Sequence, residues 1–281
     1  MLGVFWLVNQ KLLPLAVRYL LHGISYHPRI ETFTIASFVT TRSRNSRLWF
    51  IHNPLLTQAI LGYVARYGVK LYAIAIEGNH IHIAALFPNG NRAAFMRDLN
   101  SSVARATARL ALKHPGGGLW ARRYSLEFLP GDEDIEKRFF YAALQMVHDG
   151  LAPRISDVSE YVFFSDAVRG IKRPYKVVNW TKFNARKKRD PDANVRDFTE
   201  VFYLNFERLP GYENLSQREY SNVMHQKLEE ERLKIVQDRK ERGLGFASAE
   251  DRRKVVPGAR PRRTKTSTRE DHRPRVISVC S

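Results

Sequence analysis

Cysteine is almost missing: the only one among 281 residues is Cys280. No intrachain disulfide and no Cys-based zinc cluster can form, which fits a reducing cytoplasm. Acidic residues are also scarce. There are 28 Asp and Glu against 46 Lys and Arg, for a formal net charge of +18. A chain this basic repels itself unless a polyanion is near. Nucleic acid is the first candidate partner and an anionic membrane surface the second. Long apolar runs are lacking too. Residues 1–21 are apolar, but Asn9, Gln10, Lys11, Pro14 and Arg18 interrupt them, and a bilayer crossing needs ~20 mostly apolar residues. No positive charge precedes the run and no small-residue cleavage site follows, so it is not a signal peptide. Residues 1–29 read as an apolar helical arm, or as an over-long gene start, and no stable membrane association is expected. The 44% hydrophobic content is enough to bury a core, so disorder is not the default.

Strand and helix patterns alternate over the first half. Residues 31–41, rich in Phe, Ile, Val and Thr, suit a strand. Asn53-Pro54 starts a helix and Gly68 ends it. Residues 69–76 alternate as a second strand, and Glu77-Gly78-Asn79 is a turn signal before a third, residues 80–87. A long helix over about 93–113 stops at His114-Pro-Gly-Gly-Gly118. Ser125 to Leu129 reads as a fourth strand, and Asp132 opens a helix that runs to about Gly150. The order β-α-β-β-α-β-α suggests an α+β fold, an antiparallel sheet covered by helices. Beyond Ser165 the composition turns basic. Ser216 and Glu219 have capping-box spacing at the head of a long charged helix, and residues 259–281 read as a basic tail, disordered when free.

Two groups of residues carry the chemistry. In a strand, residues i and i+2 share a face, so His80 and His82 present two imidazoles side by side. Such a pair chelates one metal ion; in isolation it is more often two half-buried histidines satisfied by hydrogen bonds. Glu77 lies in the adjacent turn. Tyr141 and Gln145, four apart, fall on one helical face. A tyrosine serves as a covalent nucleophile and a glutamine carbonyl as a metal ligand, although an aromatic beside Phe139 and Phe140 is more often core.

Together these residues resemble the single-tyrosine HUH transposases, and in particular the REP-associated tyrosine transposases (IS200-like). The likeness rests on Asn79-His80-Ile81-His82, on Phe38 to Arg42, on Leu119-Trp-Ala-Arg-Arg-Tyr124, and on Tyr141, Val147, Gly150 and Leu151. Gln145-Met146 departs from the Asn-Pro usual there. Glutamine at that place is a metal ligand in other single-tyrosine HUH transposases. The resemblance covers about Thr34 to Phe164. It implies a ferredoxin-like antiparallel sheet over residues 30–165; residues 166–258, beyond it, read by composition as a basic, largely helical extension. The resemblance also implies a divalent metal, Mg²⁺ or Mn²⁺, on His80, His82 and Gln145, and Tyr141 attacking single-stranded or hairpin DNA to leave a 5′-phosphotyrosine. A homodimer is implied as well, because the family often assembles the site from two subunits. Localisation in a bacterial cytoplasm, at the nucleoid, goes with this.

Candidate DNA contacts are Arg97, Arg105 and Arg109, with Lys113, along one edge of the long helix. The mixed aromatic and cationic run Trp120, Arg122, Arg123 joins them, and Arg186-Lys-Lys-Arg189 suits phosphates. The alternative is a hairpin-binding protein on the same fold that has lost its chemistry. A zinc deaminase or metallophosphatase is disfavoured by the lack of Cys pairs and of carboxylates beside the histidines.

Overall fold

A computed structural model describes residues 31–111, 114, 117–158 and 163–261. The arm expected over 1–29, Lys113, and the tail from residue 262 onward lie outside the described residues.

Four strands, β1 (Ala36–Arg42), β2 (Lys70–Ile76), β3 (His80–Leu86) and β4 (Ser125–Leu129), form one sheet in the order β2-β3-β1-β4. Every neighbouring pair is antiparallel. Helix α1 (Pro54–Ala65) joins β1 to β2, and α2 (Arg92–Leu110) joins β3 to β4. That connectivity is the split β-α-β arrangement of a ferredoxin-like sheet, as expected above. Local chemistry sets the ends. The Asn53 side chain accepts from the Leu56 amide at 3.0 Å, with Pro54 in the first turn of α1, a cap that satisfies an otherwise orphaned donor.

Period-two alternation divides the sheet into two chemically different faces. Val39, Ile74, Ile81 and Ile83 are buried at 1% exposure or less and belong to the core with α1 and α2 residues such as Leu56, Ile60, Phe95 and Val103. The opposite face carries Phe38, Thr40 and Arg42 on β1, in register with Ala84, His82 and His80 on β3. Helix α3 (Asp132–Ala143) packs across that face, against β2, β3 and β4. Asp132, Glu133 and Asp134 in its first turn suit the positive end of the helix dipole.

The single helix expected to reach Gly150 is broken. Leu144, at φ −102° and ψ 8°, separates α3 from the short α4 (Gln145–His148). Val147 then bonds back three residues to the Leu144 carbonyl at 2.9 Å, the tighter winding found at helix ends.

The C-terminal region is not a separate body. Helix α5 (Phe164–Arg169), strand β5 (Arg173–Val178), helix α6 (Trp180–Lys187), strand β6 (Thr199–Leu204), helix α7 (Gln217–Glu241) and helix α8 (Ala249–Lys254) follow in order. The β5-β6 pair is antiparallel, a sheet not expected in a largely helical extension. Phe163, Phe164, Leu204, Tyr220, Met224 and Leu228 share one core with the first sheet. The Ser216–Glu219 capping box forms, with Ser216 N–H donating to the Glu219 carboxylate at 2.8 Å. Near its end the chain returns to the first sheet. Leu48 N–H donates to Ala259 O and Gly258 N–H to Leu48 O, both at 2.9 Å.

Candidate active site

His80 and His82 point from the central strand β3 toward α3, their ring centroids 4.6 Å apart. Both are buried, at 3% and 4% exposure. Each Nδ1 is engaged. The Asn79 amide donates to the Ser46 carbonyl at 3.1 Å, so its oxygen faces the His80 ring and accepts from Nδ1 at 2.6 Å. Cross-strand Thr40 holds His82 Nδ1 at 2.7 Å through its hydroxyl. The acceptor-only Asn79 oxygen makes His80 Nδ1 the donor and leaves its Nε2 a bare lone pair; the Thr40 hydroxyl can accept from His82 Nδ1–H and allows the same tautomer there. Burial, the first cause in both, drives His80 down to about 2 and His82 to about 3. The neighbouring imidazole and Arg42 add to this for His80; Arg42 and Arg138 do so for His82. Both rings are therefore neutral, the form that binds a metal.

Tyr141 arrives from α3. Its ring meets His82 at 5.5 Å and Phe38 at 5.9 Å, both edge-on, and His148 at 5.9 Å. The Arg138 guanidinium lies 5.3 Å from the Tyr141 centroid and is held by Glu127 of β4 at 2.6 Å. Burial raises the Tyr141 pKa above its ordinary value, and Asp149 adds to that. Arg138, Arg42 and a hydrogen bond with the Gln145 side chain oppose it. Tyrosine and histidines thus meet within one chain.

Gln145 is buried, at 6% exposure, and its Nε2 donates to Asp149 Oδ1 at 3.2 Å. Among the buried side-chain atoms of the described residues without a hydrogen-bond partner are His80 Nε2, His82 Nε2 and Gln145 Oε1. An orphaned buried acceptor costs about 1–3 kcal/mol, so three of them in one neighbourhood fit a cation. Among the described residues no group of three or more His, Cys, Asp or Glu side chains is placed to hold a metal; the candidate set is two imidazoles and an amide.

The end of α4 is built around Gly150. Leu151 N–H donates to Met146 O at 2.9 Å and Gly150 N–H to Val147 O at 3.1 Å, the paired bonds of a Schellman cap. Gly150 sits at φ +73°, and a Cβ there would overlap the Arg239 guanidinium. Arg239 itself donates to the His148 carbonyl at 2.8 Å. Gly150→Ala is expected to cost about 1–2 kcal/mol for the left-handed conformation alone, with more for displacing Arg239. A urea unfolding midpoint unchanged from wild type would refute this.

Tyr141 divides two electrostatic environments. On one side a cleft of about 510 Å³ is lined by Thr40, His82, Arg122, Arg123 and Arg138. On the other, a groove of about 900 Å³ between α3 and α7 carries Glu133, Asp134, Glu136, Glu230 and Glu231 together with Lys137, Arg138 and Lys227. A larger depression of about 1050 Å³ between α1 and β5 contains none of these residues.

The structure brings Arg122 and Arg123 to the tyrosine; it does not bring the α2 arginines there. Arg97 pairs with Asp98 at 2.8 Å, Arg105 donates to Ser101 at 2.6 Å, and Arg109 stacks on Trp180 at 4.3 Å. The Trp120 indole N–H is engaged by the Asn100 carbonyl at 2.9 Å. Asp149, His148, Arg42 and Arg138 are site residues that the sequence reading did not single out for the metal or the DNA. Helical spacing from Tyr141 and Gln145 was the only available signal.

A ferredoxin-like α+β sheet with paired histidines on its central strand, facing a tyrosine on a crossing helix, is the class that fold and site define. No protein-family model matches the sequence, and a comparison with curated proteins finds none similar. Among solved structures, the chain is similar to a REP-associated tyrosine transposase bound to a REP hairpin. The two are 18% identical over 51% of this chain and 85% of the other, with a TM-score of 0.43, a distant likeness. Among the described residues, no helix is long and apolar enough to cross a membrane.

Proposed function

We propose that this protein nicks and rejoins single-stranded, hairpin-forming DNA through a covalent tyrosine intermediate. The observation that carries this reading is the set of three unpartnered buried acceptors, His80 Nε2, His82 Nε2 and Gln145 Oε1, beside Tyr141. A divalent cation held by these three, Mg²⁺ or Mn²⁺, would polarise an oxygen of the scissile phosphate.

The remaining roles fall to the chain's own side chains. Arg122 and Arg123, exposed in the cationic cleft, take the phosphate backbone by charge. The groove behind Tyr141, with more carboxylates than cations in its lining, is the less favourable side for a polyanion. Tyr141 Oη attacks phosphorus in line and the bond to the 3′ oxygen breaks. The products are a 5′-phosphotyrosine and a free 3′-hydroxyl. Arg138 and Arg42 favour the phenolate, and the ring contacts with Phe38 and His82 orient it. Because the phosphotyrosine conserves one phosphodiester in exchange for another, rejoining needs no nucleotide.

The test uses end-labelled single-stranded hairpins, drawn from repeats flanking the gene, with Mn²⁺ or with chelator. The expected result is a label that migrates with the protein on a denaturing gel, carries the strand 3′ of the nick, and disappears with chelator or with His82→Ala. Hairpins that bind tightly yet give no adduct with any divalent cation would replace this reading with a binding protein on the same fold.

A further inference from the structure

Gln145 is an ambiguous ligand by chemistry: one end of its amide accepts and the other only donates. A metal takes the oxygen. Which end is left for a metal depends on what holds the other end, and the structure supplies that group. Gln145 Nε2 lies 3.2 Å from Asp149 Oδ1. A carboxylate only accepts, so the nitrogen must face Asp149 and the oxygen must face away. That oxygen is buried and without a partner, on an amide that also touches Tyr141. Asp149 is itself fixed from two sides. Its backbone N–H donates to the Gln145 carbonyl at 2.9 Å, and the Schellman turn at Gly150 follows it directly. Arg239 secures the preceding His148 carbonyl.

We infer that Asp149 is a positioning residue, locking the Gln145 amide in the orientation that offers its oxygen, with His80 and His82, to a divalent cation. The inference rests on the metal reading above and names the group that makes a glutamine serve there. An alanine at position 149 would leave the amide held only by its contact with Tyr141, able to turn its N–H₂ toward the cation, which repels it.

The test is Mn²⁺ binding to the full chain without DNA, read by the loss of the free-ion electron paramagnetic resonance signal. Wild type is expected to bind. Asp149→Asn, close in shape but able to turn its own N–H₂ toward Gln145, is expected to weaken binding about tenfold. Asp149→Ala is expected to weaken it by roughly 10–100-fold, the usual range for groups that orient a metal ligand. The deciding comparison is made in a Gln145→Glu background. A carboxylate offers oxygen at both ends, so removing Asp149 there is expected to cost less than twofold. Equal losses in the two backgrounds would mean that Asp149 supports only the local fold, and would overturn the inference. Unchanged binding in Asp149→Ala would overturn it too, while leaving the metal site standing. A wild-type protein that binds no Mn²⁺ would remove both.

Discussion

Tyr141→Phe is expected to abolish the covalent protein–DNA adduct, by a factor on the order of 10³ or more, while hairpin affinity stays within about twofold. The ring makes the packing contacts, edge-on to Phe38 and His82 and beside His148, and phenylalanine keeps all of them. Only the hydroxyl goes, and with it the attacking oxygen. The imidazoles remain buried and neutral, and Arg122 and Arg123 remain in the cleft, so the phosphate still has its site. Gel-shift titration and the denaturing-gel assay, run on the same preparation, separate the two quantities. An adduct that survives the substitution would mean another nucleophile. Loss of binding together with the adduct would mean that the hydroxyl serves recognition.

The second large effect concerns stability. Phe139 is fully buried, and its ring meets Phe140 and Phe163 at 5.3 Å each and Phe164 at 5.8 Å. Phe163 and Phe164 belong to the segment that opens the C-terminal region, so this cluster joins that region to α3. Phe139→Ala is expected to cost about 3–5 kcal/mol, transfer and cavity together, and to lower the melting temperature by roughly 6–20 °C. Calorimetry should still show one transition. A loss below about 1 kcal/mol, or two separated transitions, would mean that the two regions do not share this core.

Much of this was readable from the residues. The β4 strand, Ser125 to Leu129, falls where its pattern places it, and the Ser216–Glu219 spacing forms the box it encodes. The His80–His82 pair follows from strand alternation alone. What could not be read depends on contacts distant in sequence. A perfect helix would carry Tyr141 and Gln145 straight on to Asp149. The helix breaks at Leu144, a side chain only 1% exposed, where no proline or glycine in the sequence marks it. Spacing places Arg97, Arg105 and Arg109 on one exposed edge of α2, and they are exposed there; it carries no information about what that edge meets. Arg109 faces Trp180, some seventy positions later. The β5-β6 pair was missed for a related reason: Arg173-Pro174 opens it and charges fill its flanks, while its packing on α1, with Val177 and Tyr175 close to Gly62, joins residues far apart in sequence.

The return of the chain has a consequence in time. Arg239 holds the His148 carbonyl, Arg252 donates to the Leu151 and Asp157 carbonyls at 2.7 and 2.8 Å, and Ala247 N–H bonds Gly150 at 2.8 Å. Every one of these donors is synthesised long after the turn it secures. At roughly 5–20 residues per second, a nascent chain spends several seconds with its sheet, histidines and tyrosine already made and the turn bearing Asp149 unclamped. The turn bearing Asp149 is therefore completed only once Arg239, Ala247 and Arg252 have been made and have folded back onto it.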